Sequence, residues 1–368
     1  MGSRGIANIH RIVQLTIKEL KKRGADPFVV PAMGSHGGAT AEGQRHVLES
    51  YGITEETIEA PIFSSMDTVE IGQLADGTAV YLDKIALTAS AIVPINRIKL
   101  HTSFRSQHGS GLMKMLVIGL GKQQTATNIH RRGVHGLREL IPQAARLIIE
   151  RAPILFGIAI VEDGYDQTAI IRVIEAKHFE NEERTLIRQA EEFMPKLPVD
   201  ELDVLVIDKM GKNISGTGMD TNVIGRLKIQ GETPFATPTI KRIVVLGLTE
   251  ESHGNAIGLG LADLTTKNLV SQIEYHSFYV NVLTSTFVER GKTPITLYSD
   301  KEAIQAAIAT CWLKSPAEVR LLRIKNTLEL TNMQVSENMV GEMVRRDNIC
   351  VTETAKPLLF DNSGNLHP

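Results

Sequence analysis

The sequence predicts an α/β protein of two α/β domains, each with a central, mostly parallel sheet. The chain has 368 residues, more than one hydrophobic core usually supports. Strand-length apolar runs alternate with helical patterns, which is typical of strand–helix–strand units. Several of these runs end in glycine-rich polar loops, and ligands of parallel sheets bind at that end of the strands. Pro195 and Pro198 mark a boundary, so we predict domains at residues 1–197 and 198–368.

The first domain begins with a loop and a helix. Residues 7–23 have apolar side chains at helical spacing. Such a loop normally follows a strand, so either that first strand comes from elsewhere in the fold or the natural chain starts earlier. Residues 27–31 predict a short buried strand and residues 40–51 a helix. His36 lies between them among three glycines, which let backbone approach a ligand, and we interpret it as a ligand-facing residue.

The other elements follow from the same periodicities, and Asp76-Gly77 predicts a hairpin turn. In the first domain we predict strands at 68–72, 78–82, 91–95, 154–161 and 167–174, and helices at 141–150 and 180–193. In the second we predict strands at 202–207, 243–248, 295–298 and 319–324, and helices over most of 264–290, at 301–311 and at 336–344. We expect the polar tail to pack back on the first domain.

Residues 101–130 concentrate titratable groups beside glycines, which predicts a cofactor site. Histidine is a common metal ligand and proton shuttle, and a lysine here is either a charge partner or a covalent anchor for an acyl carbon. The residues that indicate the site are His101, Gly109, Gly111, Lys114 and His130. His108 belongs either to this site or to a surface loop.

His36 and His101 both follow predicted strands of the first domain. If those strands are neighbours, two imidazoles face one cavity, and a pair of bases on opposite sides of one carbon is what a racemase requires. His130 lies 16 residues after Lys114 and could bind a metal through neutral imidazole. The absence of an HExxH pattern disfavours a zinc hydrolase.

The residues alone indicate a cofactor-dependent enzyme with histidine acid/base chemistry. Two alternatives stay open. One is a metal-dependent hydrolase or lyase acting on a sugar acid, with His36, His101 and His130 on an ordinary divalent ion. The other is a non-catalytic two-domain ligand-binding protein.

A second ligand loop is predicted at residues 208–226, directly after a strand of the second domain. It contains four glycines and many side-chain donors, among them Lys212 and Asn213, but not the P-loop pattern. By position it is a ligand-binding loop.

Five motifs in order resemble the nickel-dependent lactate racemase family, from Arg4 to about Arg226. They read PAMGSHGGAT, NRIKLHTSFR, GSGLMKMLVIGLGK, NIHRRG and GKNISGTGMD. The resemblance implies two α/β domains with the active site in the cleft between them. It also implies a nickel-pincer nucleotide, in which nickel is held by a pyridinium-3,5-bisthiocarboxylic acid mononucleotide, and hydride transfer that inverts a 2-hydroxy acid.

The resemblance assigns a role to each matching residue. Lys114 matches the lysine that holds the cofactor through a thioamide, beside Gly109 and Gly111. His130 matches the nickel ligand, and His36 and His101 match the two acid/base histidines. The residues implied in substrate binding are Arg4, Lys212 and Asn213. Two departures stand out: the spacing from His101 to Lys114 is longer, and Gly-Leu-Met-Lys replaces a Gly-Arg-Lys sequence.

The expected partners follow from charge and from the resemblance. A net charge of -2 gives no global basic field for nucleic acid or an anionic membrane. No apolar run is long enough to span a bilayer, so we expect a cytoplasmic enzyme. The expected partners are a small 2-hydroxy acid and the separate enzymes that make the cofactor. The sequence leaves both a monomer and a homo-oligomer open.

Overall fold

A computed structural model describes residues 1–2, 5–103 and 108–367 of the chain. The described residues divide into two compact units, Met1–Met194 and Pro195–Pro368. Each unit has its own buried apolar core. Among the described residues no helix is long and apolar enough to cross a membrane.

The first helix shows why the helical predictions succeed. Ile9, Val13 and Ile17 recur at intervals of four residues and are all buried, so one face of α1 joins the core. The helices of the first unit are α1 (Ile9–Lys22), α2 (Ala41–Ser50), α3 (Glu55–Ile58), α4 (Leu112–Lys114), a π-helix (Met115–Leu120), α5 (Lys122–His130), α6 (Gly133–His135), a second π-helix (Gly136–Leu140), α7 (Ile141–Arg151) and α8 (Phe179–Phe193).

The strands of the first unit are short. They are β1 (Thr68–Gln73), β2 (Ala79–Asp83), β3 (Ile95–Arg97), β4 (Phe156–Glu162) and β5 (Thr168–Glu175). β1 and β2 form the predicted antiparallel hairpin. Within the described part of this unit the others form a three-stranded sheet in the order β3-β4-β5, with β3 parallel and β5 antiparallel to β4.

The predicted strand at residues 27–31 forms only a single parallel bridge, between Val29 and Ile62. Pro27 and Pro31 have no N–H to donate, which prevents a longer ladder at both ends of the segment. The prediction of a full strand here is therefore wrong, although the segment is extended and leads into the His36 turn as expected.

The second unit contains the larger sheet. Its strands are β6 (Glu201–Met210), β7 (Thr239–Leu248), β8 (Leu264–Thr266), β9 (Ile295–Leu297), β10 (Leu321–Ile324) and β11 (Met333–Val335). Over the described residues they form a six-stranded sheet in the order β11-β10-β6-β7-β8-β9. Every neighbouring pair is parallel except β10 with β11. The α/β class is confirmed.

The helices of this unit cover the sheet or follow its strands. They are α9 (Thr221–Ile224), α10 (Lys267–Ser271), α11 (Tyr275–Ser285), α12 (Asp300–Ala309) and α13 (Val340–Met343). β8 lies where we predicted helix, because three buried residues are too few to show a strand period. In the tail, Leu358, Phe360 and Leu366 pack against a core of the second unit.

The strand order places the second ligand loop at a switch point. β6 has β7 on one side and β10 on the other, and the chain runs from β6 towards β9 before it returns to β10. Ligands of such sheets bind outside the carboxyl ends of the strands at the point where the order reverses. The loop that contains Lys212 begins at this end of β6.

Candidate active site

Lys114 and His130 lie on one helical segment with a break in the middle. α4 ends at Lys114, the π-helix continues to Leu120, and α5 ends at His130. A straight α-helix would separate residues 16 apart by about 24 Å. The charge of protonated Lys114 nevertheless lowers the pKa of His130, so the two groups lie within electrostatic reach. The break is at Lys122, whose φ is +52°, in the left-handed region.

His101 faces Lys114. Nε2 of His101 lies 2.9 Å from Nζ of Lys114, and Nδ1 of the same ring accepts a hydrogen bond from the backbone N–H of Ser103 at 3.0 Å. Because a neutral imidazole has one N–H, an accepting Nδ1 assigns the hydrogen to Nε2. That hydrogen can donate to Lys114 only in the neutral form of the amine, since an ammonium group has no lone pair; the protonated form, which lowers the pKa of His130, cannot accept it. A neutral amine is the nucleophilic form of lysine.

His130 is neutral at physiological pH. Burial, as the larger cause, and the charge of Lys114 together lower its pKa to about 4. A hydrogen bond to the carbonyl of Ala126 opposes this shift. One ring nitrogen donates its hydrogen to this carbonyl, so the other ring nitrogen keeps a lone pair. This is the form of histidine that binds a metal, oriented by a backbone acceptor.

A buried carboxyl group lies under the start of the Lys114 segment. Glu183 of α8 is fully buried and accepts a hydrogen bond from the backbone N–H of Met113 at 2.9 Å. Burial raises its pKa to about 8, although the N–H groups of Met113 and Leu112 oppose the rise. Glu183 therefore caps the segment as a largely neutral group at pH 7. This role of Glu183 could not be predicted, because the residue lies in a charged helical pattern.

The glycines before Lys114 make room for protein atoms. A Cβ at Gly109 would lie 2.6 Å from the carbonyl oxygen of Lys99 and 2.4 Å from Ile187. A Cβ at Gly111 would lie 2.6 Å from Oε1 of Glu183. These contacts explain both glycines by packing, and their contact with a cofactor stays a prediction.

The turn that contains His36 packs on the same helical segment. We call residues 33–40 the His36 loop. The N–H of Gly34 donates to the carbonyl of Gly119 at 3.2 Å. Gly34 has a φ of +61°, and a Cβ there would lie 3.0 Å from the carbonyl oxygen of Ile118. The His36 side chain is exposed at the surface of this unit.

His108 belongs to a different cluster. Its Nε2 lies 3.7 Å from Glu180 of α8, which also binds Arg146 and Arg184. Burial lowers the pKa of His108, with Glu180 opposing. Of the two roles left open for His108, this contact favours a structural one, since it joins the chain before Lys114 to α8.

Hydrogen bonds within the second unit hold Lys212 and Asn213 of the second ligand loop. Nζ of Lys212 donates to the carbonyl of Gly216 at 3.2 Å and to Asn281 at 2.9 Å. Oδ1 of Asn213 accepts a hydrogen bond from the hydroxyl of Thr249 at 2.7 Å. Both residues thus follow β6 at the switch point, and their contact with substrate stays a prediction.

Of the predicted site residues, Arg4 lies outside the described residues. No group of three or more His, Cys, Asp or Glu side chains that could hold a metal occurs among residues 1–2, 5–103 and 108–367. Of the predicted residues, the structure therefore brings together His101, Lys114 and His130, with the His36 loop against the same segment.

Comparison with known proteins identifies this region. Residues 3–139 match the lactate racemase N-terminal domain family. This match contains the His36 loop, His101, Lys114 and His130, and it confirms the resemblance seen in the first four sequence motifs. It supports a role of the racemase type. Among curated proteins, none matches the chain.

Two solved structures are similar to this chain in fold. A protein from Thermotoga maritima has a TM-score of 0.53 and 13% identity, covering 88% of this chain and 90% of that one. The lactate racemase apoprotein from Thermoanaerobacterium thermosaccharolyticum has a TM-score of 0.51 and 11% identity, covering 87% of this chain and 82% of that one. At such identity the likeness concerns the fold alone.

Proposed function

We propose that the chain is a racemase or epimerase of a 2-hydroxy acid that works with a nickel-pincer nucleotide. The observation that carries the proposal is the cluster of Lys114, His101 and His130 within the residues that match the lactate racemase N-terminal domain. A nucleophilic amine, an acid/base imidazole and a neutral metal-binding imidazole are the groups such an enzyme needs.

The side chains fit the cofactor. Lys114 would hold it through a thioamide, and the hydrogen bonds of His101 favour the neutral amine that forms such a bond. His130 would complete the nickel coordination, since its depressed pKa keeps a lone pair available at neutral pH.

The residues of the chain would bind the substrate and move its protons. When bound, the cofactor supplies a hydride acceptor for the carbon that bears the hydroxyl group. His36 and His101 would take and return the hydroxyl proton on opposite faces of that carbon, as inversion requires. The residues proposed for substrate binding are Arg4, Lys212 and Asn213.

Acylation of Lys114 would also prepare His101 for this task. An acylated nitrogen has no basic lone pair, so it no longer accepts the Nε2–H of His101. The ring hydrogen can then move from Nε2 to Nδ1 once Nδ1 gives up the N–H of Ser103, which would leave a lone pair on Nε2 for a substrate hydroxyl proton. In this proposal, cofactor attachment and the acid/base role of His101 are coupled through one hydrogen bond.

The test uses single enantiomers of 2-hydroxy acids deuterated at C2, incubated with holoprotein in ordinary water. We expect racemisation with the deuterium retained, because the hydrogen returns from the cofactor without exchange with solvent. His36→Ala and His101→Ala should each lower the rate by ~10²–10⁴-fold. His46→Ala is the matched control, since this histidine of α2 is largely exposed and its Nδ1 lies 3.5 Å from Glu49.

The other outcomes point to the alternatives. Loss of deuterium to water would indicate proton abstraction from carbon and contradict hydride transfer. Cleavage or elimination products with zinc or magnesium would favour the metal-dependent hydrolase or lyase. Tight binding without turnover would favour the two-domain ligand-binding protein.

A further inference from the structure

Lys122 is a buried cation that the proposed chemistry does not use. Its side chain is 0% exposed, as is that of Asp83, whose Oδ2 lies 3.1 Å from Nζ of Lys122. Nζ also donates to the carbonyl of Pro31 at 2.6 Å and to Oε1 of Gln44 at 3.1 Å. Burial lowers the pKa of Lys122, with Asp83 opposing. Apolar side chains of similar volume would often fill such a place at least as favourably, so the contacts of Lys122 need another explanation.

The backbone of Lys122 is unusual as well. Its φ of +52° is a conformation that side-chain-bearing residues rarely adopt, and it persists only where the surroundings enforce it. Lys122 is the first residue of α5, directly after the Gly121 that separates α5 from the π-helix, so the same residue turns the segment that carries Lys114 and His130.

Gln44 extends the contacts of Lys122 to the His36 loop. Its side chain is also 0% exposed. While Oε1 accepts from Lys122, Nε2 donates to the carbonyl of Gly34 at 2.9 Å and to the carbonyl of His36 at 3.3 Å. A continuous path of hydrogen bonds therefore runs from the start of α5, through α2, to the backbone of His36.

We propose that Lys122 is a positioning residue, which fixes the His36 loop relative to the segment of Lys114 and His130 by way of Gln44. The effect of this placement on catalysis rests on the proposed function, because it requires His36 to act as an acid/base. The placement of the His36 loop by Lys122 does not depend on the proposed function. Lys122 touches neither reacting group, and its effect on the reaction is exerted through the backbone of the His36 loop.

The variants separate positioning from folding. Lys122→Met alone leaves Asp83 buried without its cation and is expected to unfold the first unit. The double variant Lys122→Met/Asp83→Asn removes both charges, and Asn keeps the Oδ1 acceptor that Ala86 uses at 2.8 Å. Gln44→Met breaks the path at its second step and leaves the ion pair intact. Gln123→Ala, at the exposed next residue of α5, is the matched control.

The first readout is amide hydrogen exchange by mass spectrometry on the apoprotein. The double variant and Gln44→Met should exchange the amides of residues 33–40 at least ~10-fold faster, while those of α5 after its first turn and of α8 stay as in the wild type. Gln123→Ala should change neither. A folded double variant with unchanged exchange in residues 33–40 would overturn the proposal.

The second readout is racemisation by the loaded enzyme. A misplacement of His36 by about 1 Å should lower kcat by ~10²-fold. KM should change much less, because no substrate-binding group is altered. Faster exchange with an unchanged kcat would refute the catalytic part. If the wild type does not racemise any 2-hydroxy acid, the proposed function fails, and the exchange experiment still decides whether Lys122 positions the loop.

Discussion

Changing Glu183 to glutamine should remove a pH dependence of stability from the first unit. Burial raises the pKa of this carboxyl group from its ordinary value of 4.5 to about 8. The folded state therefore holds the proton more tightly than the unfolded state does. Between pH 4.5 and pH 8 the folded state binds more protons, so the free energy of unfolding falls as the pH rises.

The size of the effect follows from the shift. One pKa unit corresponds to about 1.4 kcal/mol, and the difference of 8 - 4.5 = 3.5 units gives about 5 kcal/mol. This contribution is fully present below pH 4.5 and lost above pH 8. Glutamine does not titrate, and its Oε1 can still accept the N–H of Met113. The variant should therefore become more stable relative to the wild type as the pH increases.

The assay is urea unfolding of wild type and Glu183→Gln from pH 5 to pH 9. The only tryptophan, Trp312, lies in the second unit, so the first unit is followed by hydrogen exchange of its α4 and α5 peptides. The fluorescence of Trp312 serves as an internal control that should not respond. Glu192→Gln, at an exposed position of the same helix, is the matched variant. Parallel pH curves for wild type and Glu183→Gln would refute the reasoning.

Three further predictions follow from the site. Lys114 of the apoprotein should react with an acylating reagent at pH 7 at least ~10-fold faster than exposed lysines do, as peptide mass spectrometry would show; equal rates would contradict the neutral amine. His130→Ala should lose nickel and keep the covalent adduct on Lys114, measured by metal analysis and intact mass, and joint loss of both would argue against separate roles. Gly34→Ala should cost ~1–3 kcal/mol in the unfolding of the first unit, because of its positive φ and the carbonyl of Ile118, whereas an unchanged midpoint would contradict this packing.

Much of the fold could be predicted because it follows from local patterns. Apolar residues at helical spacing predicted α1, and Asp76-Gly77 between apolar runs predicted the β1–β2 hairpin. The continuous apolar run at residues 154–161 predicted a strand, and β4 is buried over most of its length. Failures occurred where a residue type overrode the pattern, as with the prolines around Val29, or where the element was only three residues long, as with β8.

Residue type and spacing predicted the candidate site residues, whereas the contacts that support these residues could not be predicted. The many histidine, lysine and glycine residues between 101 and 130 predicted a site there, but the sequence did not predict a helix with a break. The left-handed backbone of Lys122 and its path through Gln44 depend on contacts between distant segments. Glu183 lies 69 residues after Lys114 in sequence, and nothing local marks it as the cap of that helix.

The most direct test of the proposed function is the intact mass and nickel content of the protein produced together with the cofactor-synthesis enzymes. We expect a covalent mass increase that peptide mapping places on Lys114, and nickel equimolar with the chain. Lys114→Ala should carry neither. An unmodified wild-type chain whose activity is supported by zinc or magnesium alone would contradict the proposal.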